Sequence, residues 1–153
     1  MKRGTIFDLP IISISILISG MLLFVSLQIS YSLDDQPQLN QTMIEQGRIG
    51  VRNAGISFPF WSIGLGLVSV ILSFIFGGSP ALVVMSIIFM GFTIMLNAMF
   101  ANAFEMFMGE FVSTIINDLA PVVFVQQYMP LYALVFGALI AIAYHSGRSR
   151  DLV

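Results

Sequence analysis

Residues 10–32 read PIISISILISGMLLFVSLQISYS, 23 residues without one charged side chain. A helix needs about 20 apolar residues to cross a hydrocarbon core, so this stretch is expected to span a membrane. Lys2 and Arg3 stand in front of it, as they would before a secretory signal. The apolar run is too long for a signal h-region, and Tyr31-Ser32-Leu33 offers no small-x-small cleavage site. It reads as a retained anchor.

The rest of the chain has the same character. Of 153 residues, 58% are hydrophobic and 9% charged, with a mean hydropathy of +0.95. A soluble domain carries about 25% charged residues. The composition therefore excludes a soluble enzyme, a disordered tail and a nucleic-acid binder with a basic face. The absence of cysteine excludes a disulfide framework, a thiolate zinc site and a redox pair.

Three further spans follow: 57–76, 80–101 and 121–146. The last holds Gln126, Gln127 and Pro130, so a kink or break is expected near Pro130. Asp8, Ser57 and Ser79 precede Pro10, Pro59 and Pro80, an oxygen-bearing cap before a first-turn proline. Gly77-Gly78 and Gly147 fall where the second and fourth helices should stop. The expected fold is an all-α integral membrane protein. It is a single membrane domain over 1–153: a four-transmembrane-helix bundle, a polar outer loop at 34–56 and an amphipathic helix at 102–119 on the outer side. A short surface helix after Pro37 fits the loop, and Asn40-Gln41-Thr42 within it is a glycosylation triplet.

Charge placement sets the orientation. Lys2, Arg3, Arg148 and Arg150 are four of the six basic residues and lie at the two ends, whereas 101–128 holds Glu105, Glu110 and Asp118 and no base. By the positive-inside rule both termini are cytoplasmic, or on the equivalent inner side, of a multi-pass protein. Tyr31, Trp61, Tyr128 and Tyr132 then mark the outer interface and Tyr144 the inner one.

Small residues form stripes. Ser15, Ser19, Ser26 and Ser30 lie within about 60° of one another on a helix. Ser62, Gly66, Ser69 and Ser73 share a face of the second span, and Ala133, Gly137 and Ala141 recur every four residues in the fourth. Such stripes let helices approach closely in lipid. Helix packing is therefore the expected role, ahead of a serine-lined polar path. Thr93, Asn97, Gln126 and Gln127 are the most polar groups at depth, and Asn97 reads as glue between helices.

In 102–119, Phe104, Phe107, Met108, Phe111, Ile115 and Leu119 fall on one face, opposite Asn102, Glu105, Glu110, Ser113 and Asn117. Phe104, Phe107, Met108, Phe111 and Ile115 are expected to contact the outer leaflet or a partner protein. Glu105, Glu110 and Asp118 read as a solvated acidic face without a basic partner.

Reactive chemistry is not expected. His145 is the one histidine, so neither a bis-histidine haem nor a three-ligand metal set can be assembled. No serine sits in a Gly-x-Ser-x-Gly turn. Met95 and Met99, four apart, suit thioether binding of Cu(I) but read as flexible packing. No catalytic residue, metal or cofactor is assigned. The leading expectation is a small non-catalytic membrane subunit in a multi-subunit membrane complex or an internal-membrane virion. It would contact the lipid bilayer and other membrane-protein subunits, with no nucleic acid. The alternative is a homo-oligomeric, holin-like pore with a serine stripe facing water.

Overall fold

The structure, a computed structural model, describes residues 8–33, 36, 40–76 and 80–148. Lys2, Arg3, Asp34, Asp35, the Gly77-Gly78-Ser79 turn, Arg150 and Asp151 lie outside the described residues. The fold is all-α, with helices α1 (Asp8–Ser32), α2 (Gln41–Phe76), α3 (Pro80–Met108), α4 (Ser113–Asp118), α5 (Ala120–Gln127) and α6 (Met129–Arg148). Segments of α1, α2, α3 and α6 are each long and apolar enough to cross a membrane. The chain is thus a small all-α, multi-span membrane protein.

Around the bundle the order is α1, α2, α6, α3, and α3 against α6 is the most extensive contact. α4 packs by the end where α1 finishes, and α5 runs back toward the middle of α1, touching α1, α2 and α3. Much of the remaining surface is apolar: Ile11, Ile14, Ile18, Leu22, Val25 and Ile29 all point away from the rest of α1's core face. In water such a surface would be a liability, whereas lipid solvates it.

Two elements run longer than the sequence suggests. The segment 34–56 was expected as a loop, with a helix starting at Ser57-Phe58-Pro59. Instead α2 begins at Gln41 and continues through Pro59. Asn40 supplies the true cap: its Oδ1 accepts the Thr42 N–H at 3.1 Å, and its carbonyl accepts from Met43 at 3.0 Å. Ser57 caps nothing; its hydroxyl donates back to the Asn53 carbonyl at 3.0 Å. Proline is tolerated inside a membrane helix when neighbouring helices hold the freed segment. Here Leu119 closes on Gly55, where an added Cβ would come within 2.5 Å of the leucine side chain.

Likewise α3 does not stop at Ala101 but runs to Met108, so 102–119 is not one helix. The chain tightens at Gly109, turns through an extended Val112 (φ −66°, ψ 142°), and starts α4. This reversal points the phenylalanines inward. Phe24 of α1 meets Phe104 edge-on at 5.5 Å and Phe111 at 5.4 Å, while Phe107 and Phe111 lie 4.7 Å apart. Phe104, Met108, Ile115 and Leu119 are buried in the same cluster, with Phe107 and Phe111 half-buried. The expected outer-leaflet or partner face is thus overturned. An amphipathic pattern says that one face seeks apolar surroundings, and here the chain's own α1 provides them.

The fourth span does break where expected. α5 ends at Gln127, Tyr128 interrupts the helix, and Pro130 takes the second position of α6, where a missing N–H costs little. Gly147, expected as the stop, lies inside α6, which ends at Arg148. Trp61 and Tyr128 are exposed, but Tyr144 is 1% exposed and packs with Leu9, Phe136 and Ile140. Tyr132 is also turned inward; its hydroxyl donates to the Ser62 carbonyl at 2.7 Å.

Candidate functional site

The small-residue stripes divide into used and unused faces. On α2, Ser62, Ser69 and Ser73 are buried, as is Gly66, where an added Cβ would come within 2.7 Å of the Phe136 ring. On α6, Ala133 and Gly137 are buried and Ala141 is half-buried; Gly137 receives Met90 of α3. These two stripes pack the chain's own helices. The α1 stripe does not: Ser15, Ser19 and Ser26 are exposed and Ser30 half-buried. The serine that α1 turns inward is Ser13, fully buried and outside the expected stripe. Spacing alone could not separate the two faces, because both carry serine.

Hydroxyls in the bundle are largely consumed locally. Those of Ser13, Ser15, Ser30, Ser62, Ser73 and Thr93 each donate to the carbonyl four residues earlier, at 2.7–2.9 Å. A serine tied back in this way acts mainly as a small spacer.

Beside the α1 stripe lies a groove of about 360 Å³ between α1 and α2. Ser15, Ser19 and Leu22 form one wall; Ala54, Trp61 and Leu65 form the other. Trp61 is 72% exposed at its edge. A second groove, about 510 Å³, lies between α2 and the α5–α6 face and is lined by Phe124, Tyr128, Tyr132 and Phe136.

Two amides bind the helices at depth. Asn97 of α3 donates from Nδ2 to Ser13 Oγ at 3.1 Å and to the Met129 carbonyl at 3.2 Å. It therefore joins α3 to α1 and α6, the glue role its sequence position suggests. Gln126 of α5 donates from Nε2 to the Ile16 carbonyl of α1 at 2.8 Å. Gly20 makes that approach possible, because a Cβ there would overlap the Gln126 amide. Hydrogen bonds between membrane helices contribute roughly 0.6–2 kcal/mol each.

At the far end of α1 sits an ionic cluster. Asp118 accepts from Arg52 at 2.6 Å and from the Tyr31 hydroxyl at 2.7 Å. Arg48 lies over the Tyr31 ring, 4.3 Å from its centre, and pairs with Glu45 at 3.0 Å. Asp118 therefore has the basic partner that the acidic face was expected to lack. Arg52 stands 66 positions away, so only the fold brings the two together. Glu105 and Glu110 remain exposed.

Among the described residues no three His, Cys, Asp or Glu side chains come close enough to share a metal ion. Met95 and Met99 are both more than 60% exposed on α3. His145 is exposed near the end of α6. Comparison with known protein families, curated proteins and solved structures gives no match for this chain.

Proposed function

We propose that this chain is a small, non-catalytic integral-membrane subunit that docks into and stabilises a larger membrane assembly. Candidates for that assembly are a multi-subunit membrane complex and an internal-membrane virion. The observation that carries this reading is the unused α1 face. Ser15, Ser19 and Ser26 are small and exposed, Ser15 and Ser19 line a groove, and none of the three is needed by the chain's own packing. In lipid, where apolar contact alone gives no driving force, small-residue faces are where helices associate. The reading places both termini on the cytoplasmic or equivalent inner side.

The test is gentle extraction from the native membrane, followed by the mass of the intact complex and identification of its members. Other membrane subunits at fixed stoichiometry are the expected result; the chain alone as a monomer would overturn it. For the orientation, cysteine can be placed at exposed Ser32 in this cysteine-free chain. An impermeant reagent should label it from outside intact cells or vesicles.

A homo-oligomeric pore is the second reading, favoured by the exposure of Ser19 together with Glu105 and Glu110. It requires a closed ring containing only this chain and ion conductance in a planar bilayer.

A further inference from the structure

We propose that Asn40 is an N-glycosylation site, modified where the start of α2 stands in the outer aqueous phase. Asn40-Gln41-Thr42 is the one Asn-x-Ser/Thr triplet in the chain, and its middle residue is not proline. All three residues are exposed. The inference rests on the reading that both termini lie on the inner side, because such glycans are added on the outer or lumenal side of a membrane.

The fold holds the triplet clear of lipid. Glu45, Arg48, Arg52 and Asp118 pair with one another at a level where charge must meet water. Asn40 stands eight positions before Arg48, at the cap of the same helix. At a rise of ~1.5 Å per residue, that carries it about 12 Å further out. From Gln41 to Gly47 every residue except Ile44 is exposed, so the approach to Asn40 along α2 is open. The triplet also sits at a helix end, where fraying costs least. Only Gln41 and Thr42 have to leave the first turn of α2 for the triplet to extend into a transferase.

The modification is compatible with the cap. Asn40 caps α2 through Oδ1, which accepts the Thr42 N–H at 3.1 Å. The nucleophile would be Nδ2, and the sugar donor a lipid-linked glycosyl phosphate. Nδ2 forms a bond to the anomeric carbon, and the bond from that carbon to the phosphate oxygen breaks. The lipid phosphate leaves with the electron pair, and one amide proton is released. Oδ1 keeps its lone pairs, so the glycosylated residue still caps the helix.

The test is the mass of the chain taken from its native membrane. It should exceed 16.8 kDa, and tandem mass spectrometry should place the excess on the Asn40 side chain. Thr42→Ala should lose the glycan and Thr42→Ser should keep it. Neither change removes the Asn40 cap, which uses the backbone N–H of residue 42. Bare Asn40 in the native chain, or a glycan that persists in Thr42→Ala, would overturn the proposal. Cysteine labelling at Ser32 separates the two possible failures. Bare Asn40 with residue 32 labelled from outside refutes the glycan alone, whereas bare Asn40 with residue 32 unlabelled refutes the orientation and the glycan with it.

Discussion

Gly64 and Gly66 stand two positions apart on α2 and meet opposite surroundings. A Cβ at Gly64 meets nothing within 4 Å, whereas one at Gly66 meets three atoms of the Phe136 ring at 2.7 Å. Phe136 is buried and cannot swing clear without opening the α2–α6 contact. Gly66→Ala should therefore destabilise the bundle by about 1–3 kcal/mol, the usual cost of overpacking. Gly64→Ala should be neutral or stabilising by up to about 1 kcal/mol, because alanine is the better helix former. Reversible unfolding in mixed detergent micelles measures both, and equal effects would sink the packing argument. Gly20→Ala belongs to the first kind. It drives Gln126 off the Ile16 carbonyl, and a loss of about 2 kcal/mol is expected from strain plus the lost bond. The sequence shows Gly66 in a stripe, so its role was legible. Gly20 was not, because its partner lies 106 positions away on a segment expected to kink or break nearby.

At the scale of elements, hydropathy located the four spans, but two boundaries were hidden. Ser57-Phe58-Pro59 has the chemistry of a helix start, and nothing local says that Asn40 caps the same helix sixteen residues before Ile56. At about 1.5 Å per residue α2 is ~54 Å long, far beyond a hydrocarbon core of about 30 Å. Its polar first half follows α1 toward the ionic cluster, since Arg48 reaches Tyr31 and Arg52 reaches Asp118. Backbone amides of 45–56 should accordingly be protected from hydrogen exchange; exchange at free-loop rates would disprove the continuous helix. The phenylalanine pattern of 102–119 was legible as amphipathic, but periodicity cannot say whether lipid, a partner or α1 covers the face. Asp118 then decides how firmly α4 is held. Arg52 is 46% exposed, so its pair alone should contribute about 0–1 kcal/mol and weaken in high salt. Asp118→Ala strips Arg52 and Tyr31 of an acceptor together and should cost about 1–2 kcal/mol. Limited proteolysis at the Gly109–Val112 turn should rise more in Asp118→Ala than in Arg52→Ala. The reverse order would remove Tyr31 from the latch.

For the whole molecule, the same chemical change should have different consequences on two faces that look alike in sequence. Ser69 is 3% exposed on the inward face of α2, and Ser19 is exposed on the outward face of α1. Leucine at 69 adds volume to a close-packed seam and should lower the stability of the isolated chain by about 1–3 kcal/mol. Leucine at 19 adds volume only to a lipid-facing groove, so folding of the isolated chain should stay within about 0.5 kcal/mol of wild type. Its effect should appear when the native complex is recovered: a branched side chain holds the approaching helix off the Ser15–Ser19 surface, and co-purified subunits fall. Comparing the two variants separates folding from assembly. If Ser19→Leu leaves the complex intact while Ser69→Leu loses it through misfolding, the α1 face is merely lipid-facing and docking must occur elsewhere. If Ser19→Leu instead leaves a ring of this chain alone but abolishes its conductance, the serines face water and the pore reading takes precedence. Loss of partners with an unchanged monomer fold is the outcome that the unused α1 face predicts, because that face combines small side chains, exposure and a groove beside it.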